Sequence, residues 1–195
     1  MPNFAFHPIQ DGWWPVARRL VSPNANLRPP STQVSLLVIH NISLPPGQYG
    51  GCYVEQFFTN QLDPGAHPYF ATIHSSQVSA HCMIDRLGQA VQFVPFHQRA
   101  WHAGRSSFDG VPECNDYSIG IELEGTDHQA YSANQYQTLV RLTRDLMRNF
   151  PAITQDRIVG HSDIAPGRKT DPGPAFNWAL YRQLLNTTLS KESAR

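Results

Sequence analysis

Two stretches of the chain have the hydrophobic pattern of strands. Residues 35–42, Ser-Leu-Leu-Val-Ile-His-Asn-Ile, are apolar on both faces at their start, which is typical of a central strand covered on both sides. His40 closes this apolar run, so we expect it at the rim of a sheet, where ligand sites are common. Residues 117–125 alternate strictly between apolar and polar positions. The core face of that second strand is predicted to carry Tyr117, Ile119, Ile121 and Leu123.

The opposite face of residues 117–125 combines small side chains with two carboxylates. Ser118, Gly120, Glu122 and Glu124 share it by alternation. Small residues beside Glu122 leave room for something other than protein, so this face is predicted to form the floor of a cleft.

Two longer stretches have helical periodicity. The first begins at Ser132, which forms a capping box with Gln135, and it ends before a proline. The second covers about 176–189 and is predicted to turn Leu180 and Leu184 inward. Shorter elements are predicted as a loop over 22–31, a helix over 54–59, a hairpin over 78–94 and a strand over 157–159. These elements predict one α/β domain over 1–195, with a mixed β-sheet flanked by helices, a core over about 11–189 and a polar tail over 190–195.

Composition excludes several classes of partner. The 195 residues carry 15 basic and 15 acidic side chains without a basic stripe, so nucleic acid and anionic membranes are poor partners. No apolar run approaches the roughly 18 residues of a membrane span. The start of the chain lacks the pattern of a secretory signal. Three widely spaced cysteines, Cys52, Cys82 and Cys114, favour a reduced, cytoplasmic setting without disulfides.

The chemistry of the chain is concentrated in the Pro/Gly-rich stretch 160–174. It contains His161, Lys169 and Asp171, held in turns by its prolines and glycines. A hydrolytic zinc site needs three protein ligands and an open position. His161 and Asp171 suit zinc, and His40 at its strand end is the third candidate.

Zinc hydrolysis also requires a carboxylate that moves a proton and a cation that meets the developing oxyanion. Glu122 and Lys169 are the candidates for these two tasks. Each residue also has an ordinary structural interpretation: His40 as a strand-end histidine with satisfied hydrogen bonds, Lys169 as a surface charge. The alternation does not separate Glu122 from Glu124. Competing ligands are His81, His102 and Asp163.

Four ordered motifs together resemble the zinc N-acetylmuramoyl-L-alanine amidases, a family that also contains phage lysozyme-amidases and peptidoglycan recognition proteins. The likeness covers about 11–185, and its motifs are residues 38–41, 99–104, 118–125 and 160–173. The resemblance implies a mixed sheet flanked by helices and a Zn²⁺ ion held by His40, His161 and Asp171. It implies Glu122 as the catalytic carboxylate and Lys169 as the stabilising cation.

The family likeness also suggests a substrate. An aspartate at position 171, where a cysteine is common in the lysozyme-like and recognition branches, fits the cytoplasmic branch that acts on 1,6-anhydro-muropeptides. The bond broken there joins the lactyl group of anhydromuramic acid to L-alanine of the stem peptide. Trp101 matches the position that packs against the sugar, and Asn41 and His102 would line the same cleft. Loss of such an activity would let anhydro-muropeptides accumulate, with induction of β-lactamase.

One position departs from the family pattern. Gln77 stands where relatives carry an arginine for substrate carboxylates, so Arg105 or Arg168 is expected to bind the peptide end instead. A small muropeptide is the expected partner of a monomeric chain. The rival interpretations are a non-catalytic peptidoglycan-binding module, which would lack a ligand or Glu122, and a broad wall amidase, which would need export.

Overall fold

The computed structural model describes residues 7–193, and the side chains of residues 7–187. The strands are β1 (Arg18–Arg19), β2 (Ala25–Leu27), β3 (Leu36–Ile42), β4 (Cys82–Ile84), β5 (Ala90–Gln92), β6 (Gln98–Ala100), β7 (Ser107–Phe108), β8 (Val111–Pro112), β9 (Ser118–Glu124) and β10 (Ile158–Gly160). The helices are α1 (Tyr53–Phe58), α2 (Phe70–Ile73), α3 (Ala133–Asn149), α4 (His161–Ile164) and α5 (Trp178–Ser193). Among the described residues, no helix has the length and apolarity to cross a membrane.

A six-stranded mixed sheet forms the centre of the molecule, which confirms the predicted α/β class. Its strand order is β1-β5-β4-β9-β3-β10, and only the β4–β5 hairpin pairs antiparallel. β3 and β9 lie inside the sheet, parallel to one another. Their register places His40 directly opposite Glu122, so both side chains project from the same face.

The two faces of the sheet bury different sets of side chains. Leu37 and Ile39 of β3 pack with α3 and α5 in the largest apolar cluster. Leu36 and Val38 belong to a separate cluster on the other face, which His40 shares with them by alternation. Because helices fill the first face, the second face is the one that carries the polar residues of the site.

The longest helix begins and ends where the sequence predicts. The Ser132 hydroxyl accepts a hydrogen bond from the Gln135 backbone N–H, and the Gln135 side chain accepts one from the Ser132 N–H. This reciprocal cap satisfies two donors that the first turn leaves free. Pro151 lies just beyond the last turn.

Several local predictions are wrong. Residues 25–27 are not loop but β2, which pairs antiparallel with β6 and so satisfies its backbone hydrogen bonds. Residues 161–164 form the short helix α4 rather than a loop. Tyr117 precedes β9 and packs in the cluster of Leu36, not with Ile119.

The last helix also differs from its prediction. α5 continues to Ser193 instead of ending near residue 189. Tyr181 and Leu185 are fully buried, whereas Leu180 is 37% exposed. Leu184 is partly buried and packs against the same apolar cluster, as predicted. The inward stripe therefore runs through Tyr181 and Leu185, four residues apart, and Leu180 lies about a quarter turn outside it.

Candidate active site

Parallel strand pairing brings two distant histidines together. His40 is near the end of β3, and His161 follows directly after β10, whose Gly160 pairs with Ile39. Because parallel strands present their carboxyl ends at one edge of a sheet, the two side chains meet there. Asp171 joins them because its carbonyl accepts a hydrogen bond from the Ser162 N–H at 2.9 Å, which closes the loop.

The three predicted ligands converge on one point. His40 Nδ1 and His161 Nδ1 lie 2.9 Å apart, and each lies 3.0 Å from Asp171 Oδ2. Both histidines are buried, and the aspartate is partly buried. Within the described residues, these three side chains form a cluster with the geometry to hold a metal ion.

The hydrogen bonds and charges around the cluster are compatible with a bound cation. His161 Nε2 donates to the Ala103 carbonyl at 3.1 Å, which leaves Nδ1 as a lone-pair acceptor. Burial lowers the pKa of His40 to about 4, so its ring is neutral near pH 7. Burial alone would raise the pKa of Asp171, but its contacts with the two histidines hold it below its usual range. Two imidazole nitrogens and one carboxylate oxygen that meet in this way fit a zinc ion.

Glu122 lies on the same face as His40 and differs sharply from Glu124. Glu122 is buried, and its Oε2 has no hydrogen-bond partner among the described residues. Burial first, and the charge of Asp171 second, raise the pKa of Glu122 well above its usual value, while Lys169 acts to lower it. Glu124 instead accepts hydrogen bonds from the backbone N–H groups of Gly50 and Arg86 at 2.6 and 3.1 Å.

The other predicted site residues, Lys169, Trp101 and Asn41, do not belong to the three-residue cluster. Lys169 is exposed, and its charge reaches both His40 and Glu122. The Trp101 indole N–H donates to Asn26 Oδ1 at 2.7 Å, with the ring half-buried. Asn41 follows His40 on the opposite face of β3, and its amide donates to Asp127 at 2.8 Å.

His102 occupies the space that the small residues of β9 leave open. A Cβ added to Gly120 would lie 2.4 Å from Cγ and Nδ1 of the His102 ring. The prediction of a cleft floor is therefore wrong at Gly120, because the His102 ring fills the space beside it. The ring contacts His40 Nε2 at 2.9 Å and Ser118 Oγ at 3.0 Å.

The other competing ligands are engaged elsewhere. His81 Nδ1 accepts the Gly120 backbone N–H at 3.0 Å, and its Nε2 donates to the Gln98 carbonyl at 3.1 Å. Asp163 accepts the Gly160 N–H at 2.7 Å at the start of α4. Neither belongs to the three-residue cluster.

Two arginines border a cavity beside α4. The cavity has a volume of ≈330 Å³. Arg168 donates to the carbonyls of Ala103 and Arg105 at 2.6 and 2.7 Å, so part of its guanidinium is already used by the backbone. Gln77 is exposed. The cavity is lined by Arg105, Ser106, Ser107, Pro112, Ile164, Ala165, Pro166 and Arg168.

Sequence reasoning missed the groups that support the histidines from behind. These are the Ala103 carbonyl, the Ser118 hydroxyl and the Asn115 amide, whose Oδ1 accepts the N–H groups of His102 and Ala103 at 3.1 and 2.8 Å. A backbone carbonyl carries no sequence signal. The small side chains of Ser118 and Gly120 were a signal, since they indicate that another group approaches closely.

The fold and this cluster define a class of enzyme. Residues 30–174 match the family model described as N-acetylmuramoyl-L-alanine amidase. The chain belongs to that family, and its activity is that of an N-acetylmuramoyl-L-alanine amidase.

Individual amidases are similar to this chain over most of its length. The chain is 54% identical to the 1,6-anhydro-N-acetylmuramyl-L-alanine amidase AmpD of Citrobacter freundii, covering 94% of this chain and 98% of that protein. A crystal structure of a selenomethionine AmpD derivative is similar, with a TM-score of 0.89, 55% identity and coverage of 91% and 98%. The Escherichia coli amidase AmiD, in complex with the substrate anhydro-N-acetylmuramic acid-L-Ala-D-γ-Glu-L-Lys, has a TM-score of 0.58 and 30% identity, covering 80% of this chain and 60% of AmiD.

Proposed function

We propose that this amidase is zinc-dependent and hydrolyses the amide between the lactyl group of 1,6-anhydro-N-acetylmuramic acid and L-alanine of a stem peptide. The observation that carries the proposal is the meeting of three acceptor atoms, from His40, His161 and Asp171, within 3.0 Å of one another. A cation among these atoms would neutralise the partly buried carboxylate and accept the imidazole lone pairs. The substrate is suggested by the name of AmpD and by the ligand of the AmiD complex.

The residues around the cluster have distinct tasks in this proposal. Bound zinc supplies Lewis-acid activation of water and of the scissile carbonyl. Glu122 accepts the proton of the attacking water and passes it to the departing alanine nitrogen. Burial raises the pKa of Glu122, which makes its carboxylate a better proton acceptor than an exposed glutamate. Lys169 meets the negative charge that develops on the carbonyl oxygen.

Substrate contacts are proposed from the sequence resemblance. Trp101 offers a flat apolar ring for a sugar, and its hydrogen bond to Asn26 holds it in place. Asn41 is proposed to line the cleft, and its amide already donates to Asp127. His102 is assigned no substrate contact in this proposal, because both of its ring nitrogens are engaged within the protein. Arg105 and Arg168 beside α4 are the proposed partners of the peptide carboxylates.

The proposed setting is muropeptide recycling in the cytoplasm by a monomer. The odd number and wide spacing of Cys52, Cys82 and Cys114 are the grounds for proposing a reducing compartment. On the family resemblance, loss of the activity would raise anhydro-muropeptide levels and so induce β-lactamase.

The deciding experiment compares two substrates by mass spectrometry. The zinc-loaded chain is incubated with anhydro-muramyl tripeptide or with intact cell-wall sacculi. Release of free tripeptide from the first and little from the second is expected. Efficient release of peptide from sacculi would instead indicate a broad wall amidase, and no release from either would indicate a binding module.

A further inference from the structure

Two consecutive residues contact the two histidines of the cluster from behind. His102 Nδ1 lies 2.9 Å from His40 Nε2, and the Ala103 carbonyl lies 3.1 Å from His161 Nε2. Both contacts are to the ring nitrogens that face away from the cluster. We infer that the dipeptide His102-Ala103 fixes the tautomer and orientation of both rings, and that His102 is a positioning residue. The inference rests on the proposed metal site.

The tautomer of His40 determines the tautomer of His102. For His40 Nδ1 to offer a lone pair, its Nε2 must carry the hydrogen and donate to His102 Nδ1. His102 must then carry its own hydrogen on Nε2, which lies 3.0 Å from the accepting Ser118 Oγ. Each ring thus sets the tautomer of the next, as outer partners of metal-binding histidines commonly do.

The position of the His102 ring is fixed by a missing side chain. Any Cβ at position 120 would lie 2.4 Å from two atoms of the ring, which is far inside van der Waals contact. Residue 120 on strand β9 must therefore lack a side chain, so that the His102 ring has room. Gly120→Ala should displace the ring without touching His40 or His161.

The backbone of the dipeptide is held separately. Asn115 Oδ1 accepts both of its N–H groups, at 3.1 and 2.8 Å, and Asn115 itself is buried. Arg168 donates to the Ala103 carbonyl at 2.6 Å. Two N–H groups and one carbonyl of the dipeptide are thus fixed by Asn115 and Arg168. A segment fixed in this way can keep the rings of His40 and His161 in a constant relative position.

The same contacts argue against His102 as a substrate-binding residue. Both of its ring nitrogens are already engaged, one by His40 and the other by Ser118. No ring nitrogen is left to bind a sugar or a peptide. The structure therefore favours a role behind His40 over the cleft-lining role predicted from sequence.

Zinc affinity of matched variants tests the inference. His102→Leu fills space without an acceptor, whereas His102→Asn places an oxygen close to the position of Nδ1. Competition with a chromophoric chelator is expected to show zinc affinity about 10- to 100-fold weaker for His102→Leu and for Gly120→Ala, with His102→Asn much closer to wild type. His74→Asn, at an exposed histidine, is the control.

The outcomes separate this inference from the proposed function. A wild-type chain that binds no zinc would refute the proposed function and, with it, the premise of the inference. Tight binding by wild type and by His102→Leu alike would overturn the inference alone. An equal loss of zinc affinity in His102→Leu and His102→Asn would also overturn the inference. The size of the ring, and not its acceptor nitrogen, would then determine zinc affinity.

A measurement without variants covers the case in which they fail to fold. Imidazole ¹⁵N shifts of the zinc-loaded wild-type chain report which ring nitrogen carries hydrogen. We expect His40 and His102 both protonated at Nε2 only. A His102 ring protonated at Nδ1 would contradict the inference.

Discussion

At the scale of single residues, environment assigns different tasks to chemically identical groups. Glu122 and Glu124 are two residues apart on one face of β9. Glu124 accepts hydrogen bonds from two backbone N–H donors, whereas Glu122 Oε2 is buried and has no hydrogen-bond partner in the described part of the chain. Burial raises the pKa of Glu122, and this carboxylate is therefore the one suited to exchange a proton.

Replacement of these two carboxylates by amides should have opposite effects. Glu122→Gln is expected to retain zinc and to lower turnover by about 100- to 10,000-fold, the usual contribution of a general acid–base group. Glu124→Gln should keep turnover close to wild type and lower stability by about 1.5–3 kcal/mol, since it weakens charged hydrogen bonds. Turnover, metal content and thermal melting distinguish the two. Full activity in Glu122→Gln would eliminate it as the proton carrier.

His81 should make stability depend on pH. Its burial, with Arg28 nearby, lowers its pKa well below the usual value. Below about pH 6.5 the unfolded chain binds a proton there that the folded chain does not, so stability falls as pH is lowered.

His81→Asn removes this titration while it keeps an acceptor for the Gly120 N–H. The variant is expected to be less stable at pH 7. Between pH 6 and 5, the free energy of unfolding of wild type should fall more steeply than that of the variant. The difference in slope is expected to reach at most about 1.4 kcal/mol per pH unit. Denaturant unfolding of the metal-free chains at several pH values measures this difference. Parallel pH curves for the two chains would refute it.

At the scale of elements, local signals determine what sequence predicts well. α3 was predicted correctly because its start depends on Ser132 and Gln135 and its end on a proline, all within the segment itself. β2 was missed because it is a strand only through pairing with β6, 73 residues away at Asn26 and Arg99. Leu180 was misplaced because the packing of α5 on α3 selects its inward face.

The capping box of α3 gives a direct test at this scale. Ser132→Ala removes an acceptor for the Gln135 N–H and should lower stability by about 1 kcal/mol. For a chain of this length, that corresponds to a melting temperature lower by roughly 2–4 °C. Ser76→Ala, at an exposed loop position, is the control. Equal melting temperatures of Ser132→Ala and wild type would show that the cap is not stabilising.

At the scale of the whole molecule, the site joins distant parts of the chain. The strand-end and loop positions of His40, His161 and Asp171 were predicted from residue type, spacing and family resemblance, and the structure brings them together. The small residues Ser118 and Gly120 indicate that some group approaches β9 closely, but the sequence does not identify that group as His102. The support from Ala103 was not predictable, because it depends on a backbone carbonyl.

Removal of metal should therefore weaken the fold as a whole. Zinc at about 1,000 times its dissociation constant would stabilise the folded chain by about 4 kcal/mol, or roughly 10 °C in melting temperature. Calorimetry with and without a chelator measures the shift. His161→Ala, which lacks one ligand, should melt at the same temperature in both conditions, and a persistent zinc effect there would place the ion elsewhere.

The late position of Asp171 in the chain has a consequence for biosynthesis. The ligand set is incomplete until residue 171 of 195 has been translated, and β10 must then dock beside β3, which was made more than a hundred residues earlier. A prematurely terminated product therefore cannot assemble the centre, however well its N-terminal part folds.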